Sequence, residues 1–137
     1  MSNTLIRAAF ETRLKTWADA QIPPIPIAFE NVPFTQPTTR YLRSYLLPLN
    51  TKSDTLDQVH RGYAGVYQVS VVMPLNDGPG NGEVIAKALD TLFPMTTPMT
   101  QGGLKVTMTT PMSAAKAMPD TTNYVIPVSC RYRADTY

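Results

Sequence analysis

The stretch "VVMPLNDGPGNGEVIAKAL", Val71 to Leu89, joins an apolar run to a run with helical spacing. Three glycines, Gly78, Gly80 and Gly82, lie between the two runs. A strand, a glycine-rich turn and the start of a helix are the parts of a phosphate-binding loop. The same parts also occur where a chain simply turns from a strand into a helix. The neighbouring residues decide between these two interpretations.

The residues that a phosphate site requires are absent from this turn. A Walker-type loop needs Lys and then Ser or Thr directly after its last glycine, but Gly82 is followed by Glu83. The dinucleotide pattern places its third glycine three positions after the second, whereas Gly82 follows Gly80 by only two. Pro79 lacks a backbone donor, and Asp77 and Glu83 would repel an anion. We therefore interpret the stretch as a strand-to-helix turn.

Hydrophobic spacing on either side of the turn predicts two helices and several strands. Apolar residues three and four apart over residues 6–17 predict a first amphipathic helix, which Pro23 ends. Residues 84–92 have the same spacing and predict a second helix, which Pro94 ends. Alternating or continuous apolar runs predict strands within residues 25–29, 40–49, 63–73, 104–108 and 124–133.

This order predicts the fold class. It is α-β-β-β-α-β-β, and most of the strands alternate with a polar face. We predict an α+β fold with a largely antiparallel or mixed sheet of about five strands, on which both amphipathic helices pack. We expect a single domain spanning residues 1–137.

The strand within residues 40–49 has no polar face. Tyr41, Tyr45 and Leu47 share one side, and Leu42 and Leu46 share the other. Such a strand needs cover on both sides, either from its own fold or from a partner. We predict that one side of this strand is a contact surface.

Composition excludes several classes of protein. The 12 Lys and Arg residues against 10 Asp and Glu give a net charge of +2, too small and too scattered for a nucleic-acid-binding footprint. The single cysteine permits no internal disulfide and favours a reducing compartment. The N-terminus lacks the pattern of a signal peptide, and no apolar stretch is long enough to span a bilayer. We expect a soluble protein made in the cytoplasm.

Few residues have the pattern of a catalytic or metal site. His60 is the only histidine and lies with Asp54 and Asp57 in "DTLDQVH". A metal site needs more ligands and groups that orient them, so we interpret this segment as a solvated polar loop. A hydrolytic triad would need the same histidine, and no G-x-S-x-G pattern exists. We predict no catalytic, cofactor-binding or metal-binding residues and no enzymatic activity.

The last predicted strand places its cysteine and its two arginines on opposite sides. Cys130 lies on the same side as Val128 and Tyr132, whereas Arg131 and Arg133 lie on the other. The thiol is therefore predicted to be buried and structural. The two arginines form a positive strip, interpreted either as an ordinary solvated sheet face or as a contact to an acidic partner or to DNA.

The methionines cluster between the second helix and the last strand, with prolines among them. Filling of the core and an adaptable apolar contact surface fit this composition equally well. The cluster comprises Met95, Met99, Met108, Met112 and Met118.

The segments "IRAAFETRLKTWA", "PIAFENVPF", "YLRSYLLP", "GVYQVSVVMPLNDGPGNGEVIAKALDTLF" and "YVIPVSCRYR" follow one another along nearly the whole chain. In this order and composition the chain resembles the small tail terminator (tail completion) proteins of long-tailed bacteriophages. The most specific parts of the resemblance are residues 28–33, 65–74 and 82–93. The resemblance implies a structural virion protein of the tail, made in the bacterial host cytoplasm.

The resemblance also implies an assembly. Six copies would form a ring on the end of the tail tube, stop the polymerisation of the major tail tube protein and offer a surface to the head–tail connector protein. DNA would pass through the channel without sequence-specific binding. A head–tail connector or a tail-tube subunit is the alternative within phage assembly, and a small-ligand-binding enzyme is the distant alternative.

The resemblance supplies no motif from which single functional residues can be assigned. From residue type alone, we predict inter-subunit or tube contacts on the two-faced strand and on the polar segment of residues 50–62. The predicted contact residues are Tyr41, Arg43, Tyr45, Lys52, Asp54, Asp57, His60 and Arg61. Arg131 and Arg133 are predicted to face the channel or a partner.

Overall fold

The computed structural model describes residues 3–21, 23–30, 32–35, 37, 39–49, 61–74, 80–101, 104–116, 118–119 and 123–136. The helices are α1 (Asn3–Asp19) and α2 (Gly80–Leu92). The strands are β1 (Ile27–Phe29), β2 (Tyr41–Pro48), β3 (Arg61–Pro74), β4 (Met99–Gln101), β5 (Leu104–Met108), β6 (Ser113–Ala114), β7 (Met118–Pro119) and β8 (Asn123–Thr136).

The predicted α+β class is confirmed, and the sheet is mixed. Its strand order is β1-β2-β3-β8-β5-β4, with β6 and β7 pairing to β8 off this path. The pair β1–β2 is parallel, and the other pairs among the described residues are antiparallel. The sheet exceeds the predicted count of about five strands because β4, β6 and β7 have only two or three residues. Segments that short show no alternation in the sequence.

The long strands β3 and β8 form the centre of the sheet. Each has 14 residues, and they pair along their whole length, from Arg61 opposite Thr136 to Pro74 opposite Asn123. The apolar residues of both strands recur with a period of two, so one face of this ribbon is apolar. Both helices pack against that face, as the sequence predicted.

An aromatic cluster fills the space between helix α1 and the sheet. The ring of Phe10 stacks on Tyr67, with centroids 4.2 Å apart and an interplanar angle of 18°. Phe93 and Tyr132 lie 5.6 Å and 5.4 Å from the Phe10 ring. All four side chains are at most 1% exposed, and each buried aromatic of this size stabilises the fold by about 1.5–3 kcal/mol. The Ser44 hydroxyl meets the Tyr67 hydroxyl at 2.7 Å, so these buried oxygens satisfy one another.

Helix α2 follows the glycine-rich turn. Of the three glycines, Gly78 lies outside the described residues, Gly80 begins the helix, and Gly82 is buried in its first turn. The helix buries Ile85. Val84, predicted to belong to the same apolar stripe, is 68% exposed. It lies one position, about 100°, around the helix from Ile85, which turns it away from the sheet.

The methionine cluster is divided between core and surface. Met99, Met108 and Met112 are buried, whereas Met95 and Met118 are 45% and 57% exposed. The three buried methionines therefore fill the core, whereas a contact surface formed by Met95 and Met118 stays a prediction. Neither of the two helices in the described part of the chain is long and apolar enough to cross a membrane.

Candidate assembly surface

The sheet has a second face, which points away from the helices. On β2, Leu42, Ser44 and Leu46 point to the core, whereas Tyr41, Arg43, Tyr45 and Leu47 point to the second face. This confirms the prediction that Tyr41, Tyr45 and Leu47 share one side of the strand. We call the second-face residues of β2, β3, β8 and β5 the outer sheet face.

An arginine–aromatic cluster lies on the outer sheet face. The guanidinium of Arg43 donates a hydrogen bond to the hydroxyl of Tyr41 at 2.8 Å and lies 5.5 Å from the centre of the Tyr41 ring. The ring of Phe34 packs on the same tyrosine, with centroids 5.3 Å apart. Tyr41 is only 1% exposed, whereas Arg43 and Tyr45 are half-buried. Of the three predicted contact residues on this strand, Arg43 and Tyr45 are thus the ones that a partner can reach.

Polar side chains continue this face onto β3. Ser70 lies opposite Arg43 and Gln68 lies opposite Tyr45 in the β2–β3 register. The amide of Gln68 donates to the hydroxyl of Ser70 at 3.2 Å. Ser70 is buried, so Gln68 is the member of this pair that stays partly exposed on the outer sheet face.

The strand β8 adds positive charge to the outer sheet face. Arg131 and Arg133 are both exposed, as predicted from the alternation of the strand. The strand is fixed there because Thr109 N–H donates to the Arg131 carbonyl and Arg131 N–H donates to the Thr110 hydroxyl, each at 2.8 Å. Lys105 on β5 is also exposed; it lies opposite Asp135, two residues along the register from the Thr107–Arg133 pair.

The acidic side chains that the structure describes lie away from this face. The carboxylates whose positions the structure describes all lie on helix α1, on helix α2 or directly after β1. They are Glu11, Asp19, Glu30, Glu83 and Asp90. Asp135 follows Arg133 on the same side of β8 and pairs with Lys105 in the register, and its side chain lies outside the description.

Apolar side chains project at the end of β2. Leu47 and Leu49 are 50% and 61% exposed, and the Leu49 N–H donates to the Ala64 carbonyl at 2.8 Å, which extends the strand pairing beyond Pro48. Val32 is another exposed apolar residue, at 56%. Leu47 was predicted from the sequence, whereas Leu49 and Val32 were not. The alternation of Tyr45 and Leu47 continues to Leu49 and indicates its position, whereas no sequence pattern indicates Val32.

Most of the predicted polar contact segment lies outside the described residues. This applies to Lys52, Asp54, Asp57 and His60. The backbone of Arg61 begins β3 opposite Thr136, and its side chain also lies outside the description. Contacts through these residues stay a prediction.

A carboxylate closes one edge of the sheet. The β1–β2 pairing ends at Phe29 opposite Ser44. The next outward-pointing N–H on β2 belongs to Leu46, and it donates to the Glu30 carboxylate at 2.6 Å. The position after that is Pro48, which has no N–H. An additional strand laid along this part of β2 would therefore find few backbone N–H donors. Such blocking is a common protection against edge-to-edge association. Sequence reasoning missed Glu30, because no local pattern links it to β2.

Arg7 holds this carboxylate in place. Its guanidinium donates to Glu30 at 3.0 Å and lies 3.5 Å from Glu11 on the same helix. Burial by itself would raise the pKa of Glu30, but the hydrogen bonds from Leu46 and Arg7 outweigh it, and the pKa lies below its ordinary value. For Glu11, burial outweighs the attraction of Arg7, and the pKa is raised. The pKa of Glu30 is thus lowered and the pKa of Glu11 is raised relative to their ordinary values.

The thiol of Cys130 is 2% exposed, which confirms the predicted buried position. Burial raises its pKa to about 12, so the reactive thiolate is disfavoured. Among the residues that the structure describes, no group of three His, Cys, Asp or Glu side chains is arranged to hold a metal ion.

Comparisons with known proteins give a consistent result. A family model described as phage tail terminator protein matches residues 5–132. A solved structure whose chain is 43% identical matches with a TM-score of 0.85, covering 100% of this chain and 98% of the other. Curated proteins give no match.

Proposed function

We propose that this chain, which belongs to the family of phage tail terminator proteins, forms a ring that caps the tail tube. The observation that carries the proposal is the family match over residues 5–132. Membership gives the chain a structural role in a phage tail. The ring of six copies, the termination of the tube and the surface for joining the head are our proposal for how that role is performed.

The closed sheet edge supports a ring of limited size. A ring needs two different patches on each subunit that fit head to tail and close after a fixed rotation. Because Glu30 and Pro48 block the part of β2 that extends beyond β1, strand addition is disfavoured along that part of the edge. Subunits are then joined by side chains, and the half-buried Arg43 and Tyr45 beside the exposed Leu47 form the first patch.

The positive part of the outer sheet face supports contacts outside the ring. Arg131, Arg133 and Lys105 are exposed on this face. We propose that they face an acidic surface of the tail tube protein or head–tail connector, or the DNA in the channel. A few cations give weak binding that falls steeply with salt, which suits DNA that must slide past without sequence-specific contacts. The protein would be made in the host cytoplasm and built into the virion there.

The decisive experiment mixes the purified protein with growing tail tubes. Light scattering after gel filtration should give a mass of six copies, either alone or once tube protein is added. Electron microscopy should show tubes that carry a ring on one end and stop lengthening. A protein that stays monomeric and leaves tube growth unchanged contradicts the proposal. Long tubes formed by this protein alone would identify a tube subunit instead.

A further inference from the structure

A groove lies on the helix side of the molecule, between α1, the end of α2 and β4. Two adjoining cavities of about 560 Å³ and 510 Å³ form it, and both are lined by Arg13, Trp17 and Leu92. Pro98 and Met99 supply further apolar wall on the β4 side. We call this feature the Trp17 groove. It lies on the opposite side of the sheet from the outer sheet face.

The wall of the Trp17 groove has one charged residue. Arg13 donates through Nη1 to the carbonyl of Leu92 at 3.1 Å, which fixes the guanidinium at the groove. A guanidinium has five N–H donors, and no carboxylate lies within ion-pair distance of Arg13 in the described ranges of the chain. A cation in an apolar wall is complementary to an acidic group flanked by apolar ones.

The strand beside the groove is the last of the sheet. Among the described strands β4 pairs only with β5, and its residues Met99, Thr100 and Gln101 line the groove. An extended chain laid along such an edge gains backbone hydrogen bonds, while alternate side chains enter the neighbouring pocket. The groove and the strand edge together are therefore suited to an extended segment.

We propose that the Trp17 groove binds an extended segment of another protein, in which apolar residues alternate with an acidic residue that pairs with Arg13. The cationic guanidinium of Arg13 in a mostly apolar wall sets the chemistry of the occupant, an acidic group between apolar ones. Of the acidic side chains that the structure describes, Glu11 and Glu30 pair with Arg7, Asp19 pairs with Lys15, and Glu83 and Asp90 lie on helix α2. The proposal is independent of ring formation on the tail tube.

Trp17 provides the measurement, because it is the only tryptophan of the chain and lines both cavities. The probes are two end-blocked peptides of eight residues, one alternating valine with aspartate and the other valine with lysine. The aspartate peptide should shift the Trp17 emission in a saturable way and bind at least tenfold more tightly than the lysine peptide. Raising the salt concentration should reduce that preference.

Three variants test the role of the groove. Arg13→Glu should reverse the preference between the two peptides, and Arg13→Gln should abolish it. Lys15→Glu is the matched control, because it makes the same charge change on the same helix at a residue that does not line the groove and is paired with Asp19. It should keep the preference for the aspartate peptide. Circular dichroism verifies that each variant is folded.

Equal binding of both peptides, or an unchanged preference in folded Arg13→Glu and Arg13→Gln, would overturn the proposal. So would Trp17 emission that neither peptide alters at millimolar concentration. A different result is a Trp17 emission that changes, without any peptide, as the protein concentration is raised and the mass measured by light scattering increases. This would mean that a second copy of this chain occupies the groove. That result would overturn the proposal of a different protein and leave the tail-capping ring standing.

Discussion

The carboxylate of Glu30 accepts a hydrogen bond from the backbone N–H of Leu46 at 2.6 Å, where a longer β1 would supply a carbonyl. Arg7 holds the carboxylate from the other side at 3.0 Å. One side chain thus ends the parallel pairing and ties helix α1 to the edge of the sheet. Without it, a strand donor and a guanidinium would both lose their partner.

Replacing Glu30 by alanine should therefore destabilise the protein. We expect Glu30→Ala to lower the free energy of unfolding by about 1–3 kcal/mol, the cost of leaving such a donor unpaired. Glu30→Gln should cost less, because the amide oxygen still accepts from Leu46. Denaturant titration measures both, with the exposed Asp90→Ala on α2 as the control. A loss no larger than that of the control would contradict this role.

The same carboxylate should contribute to the loss of stability at acidic pH. The pKa of Glu30 is lower in the folded state than its ordinary value of 4.5, so the unfolded state binds its proton first as the pH falls. Its contribution is complete above 4.5 and is lost as the pH falls through the folded pKa. The stability difference between the wild type and Glu30→Gln should then be constant from pH 7 to 5 and shrink towards pH 3.

Glu11 serves as a check, because its contribution to stability should change with pH in the opposite direction. Its pKa is raised by burial, so its contribution is complete below 4.5 and is lost as the pH rises through the folded pKa. The wild type should therefore lose stability relative to Glu11→Gln between about pH 4 and 7. Identical pH profiles for the two variants would show that the environments of Glu11 and Glu30 do not differ in this way.

The sequence predicted those parts of the fold that follow from a local period. The alternation on β2 and β8 predicted the correct faces for Tyr45, Cys130 and Arg131. Successive side chains of a strand point to opposite faces, so the position of a residue along the strand is enough to assign its face. The Glu30 contact with Leu46 joins residues 16 apart in the sequence. A contact over that separation leaves no local periodicity from which it could be predicted. The Trp17 groove was missed for the same reason. Arg13 and Leu92 meet only when α1 and the end of α2 pack together.

Gly65 should not tolerate a side chain. A Cβ built there would lie 2.6 Å from the Leu47 carbonyl oxygen and 2.6 Å from the hydroxyl of Tyr132. The carbonyl belongs to the neighbouring strand and the tyrosine is 1% exposed, so neither moves freely. We expect Gly65→Ala to cost about 1–3 kcal/mol or more through overpacking. Thermal unfolding measures this loss.

Gly80 is the matched control for this substitution. A Cβ at that position meets nothing within 4 Å, and alanine favours the helix over glycine. Gly80→Ala should leave the stability unchanged or raise it slightly. Equal losses in Gly65→Ala and Gly80→Ala would contradict the steric explanation.

The thiol of Cys130 should be unreactive in the folded protein. Burial raises its pKa from 9.0 to about 12, which lowers the thiolate fraction at neutral pH by roughly a thousandfold. The reaction with a disulfide reagent, followed by absorbance, should be slow in buffer and complete rapidly in denaturant. Fast modification of the native protein would indicate that β8 opens or that the thiol is reachable.

The exposed leucines at the end of β2 should matter for assembly rather than for folding. Leu47 and Leu49 are 50% and 61% exposed, so Leu47→Asp and Leu49→Asp should change the unfolding free energy of the monomer by no more than about 0.5 kcal/mol. Each should nevertheless weaken the ring or its capping of tubes, because a carboxylate would be buried against apolar surface.

Val84→Asp separates this effect from a general loss of apolar surface. Val84 is 68% exposed, and it lies on α2, away from the outer sheet face. If the contact is through the end of β2, Val84→Asp assembles like the wild type while the two leucine variants do not. Light scattering and the length distribution of capped tubes measure both properties. Equal impairment of all three variants, or of none, would move the subunit contact away from Leu47 and Leu49.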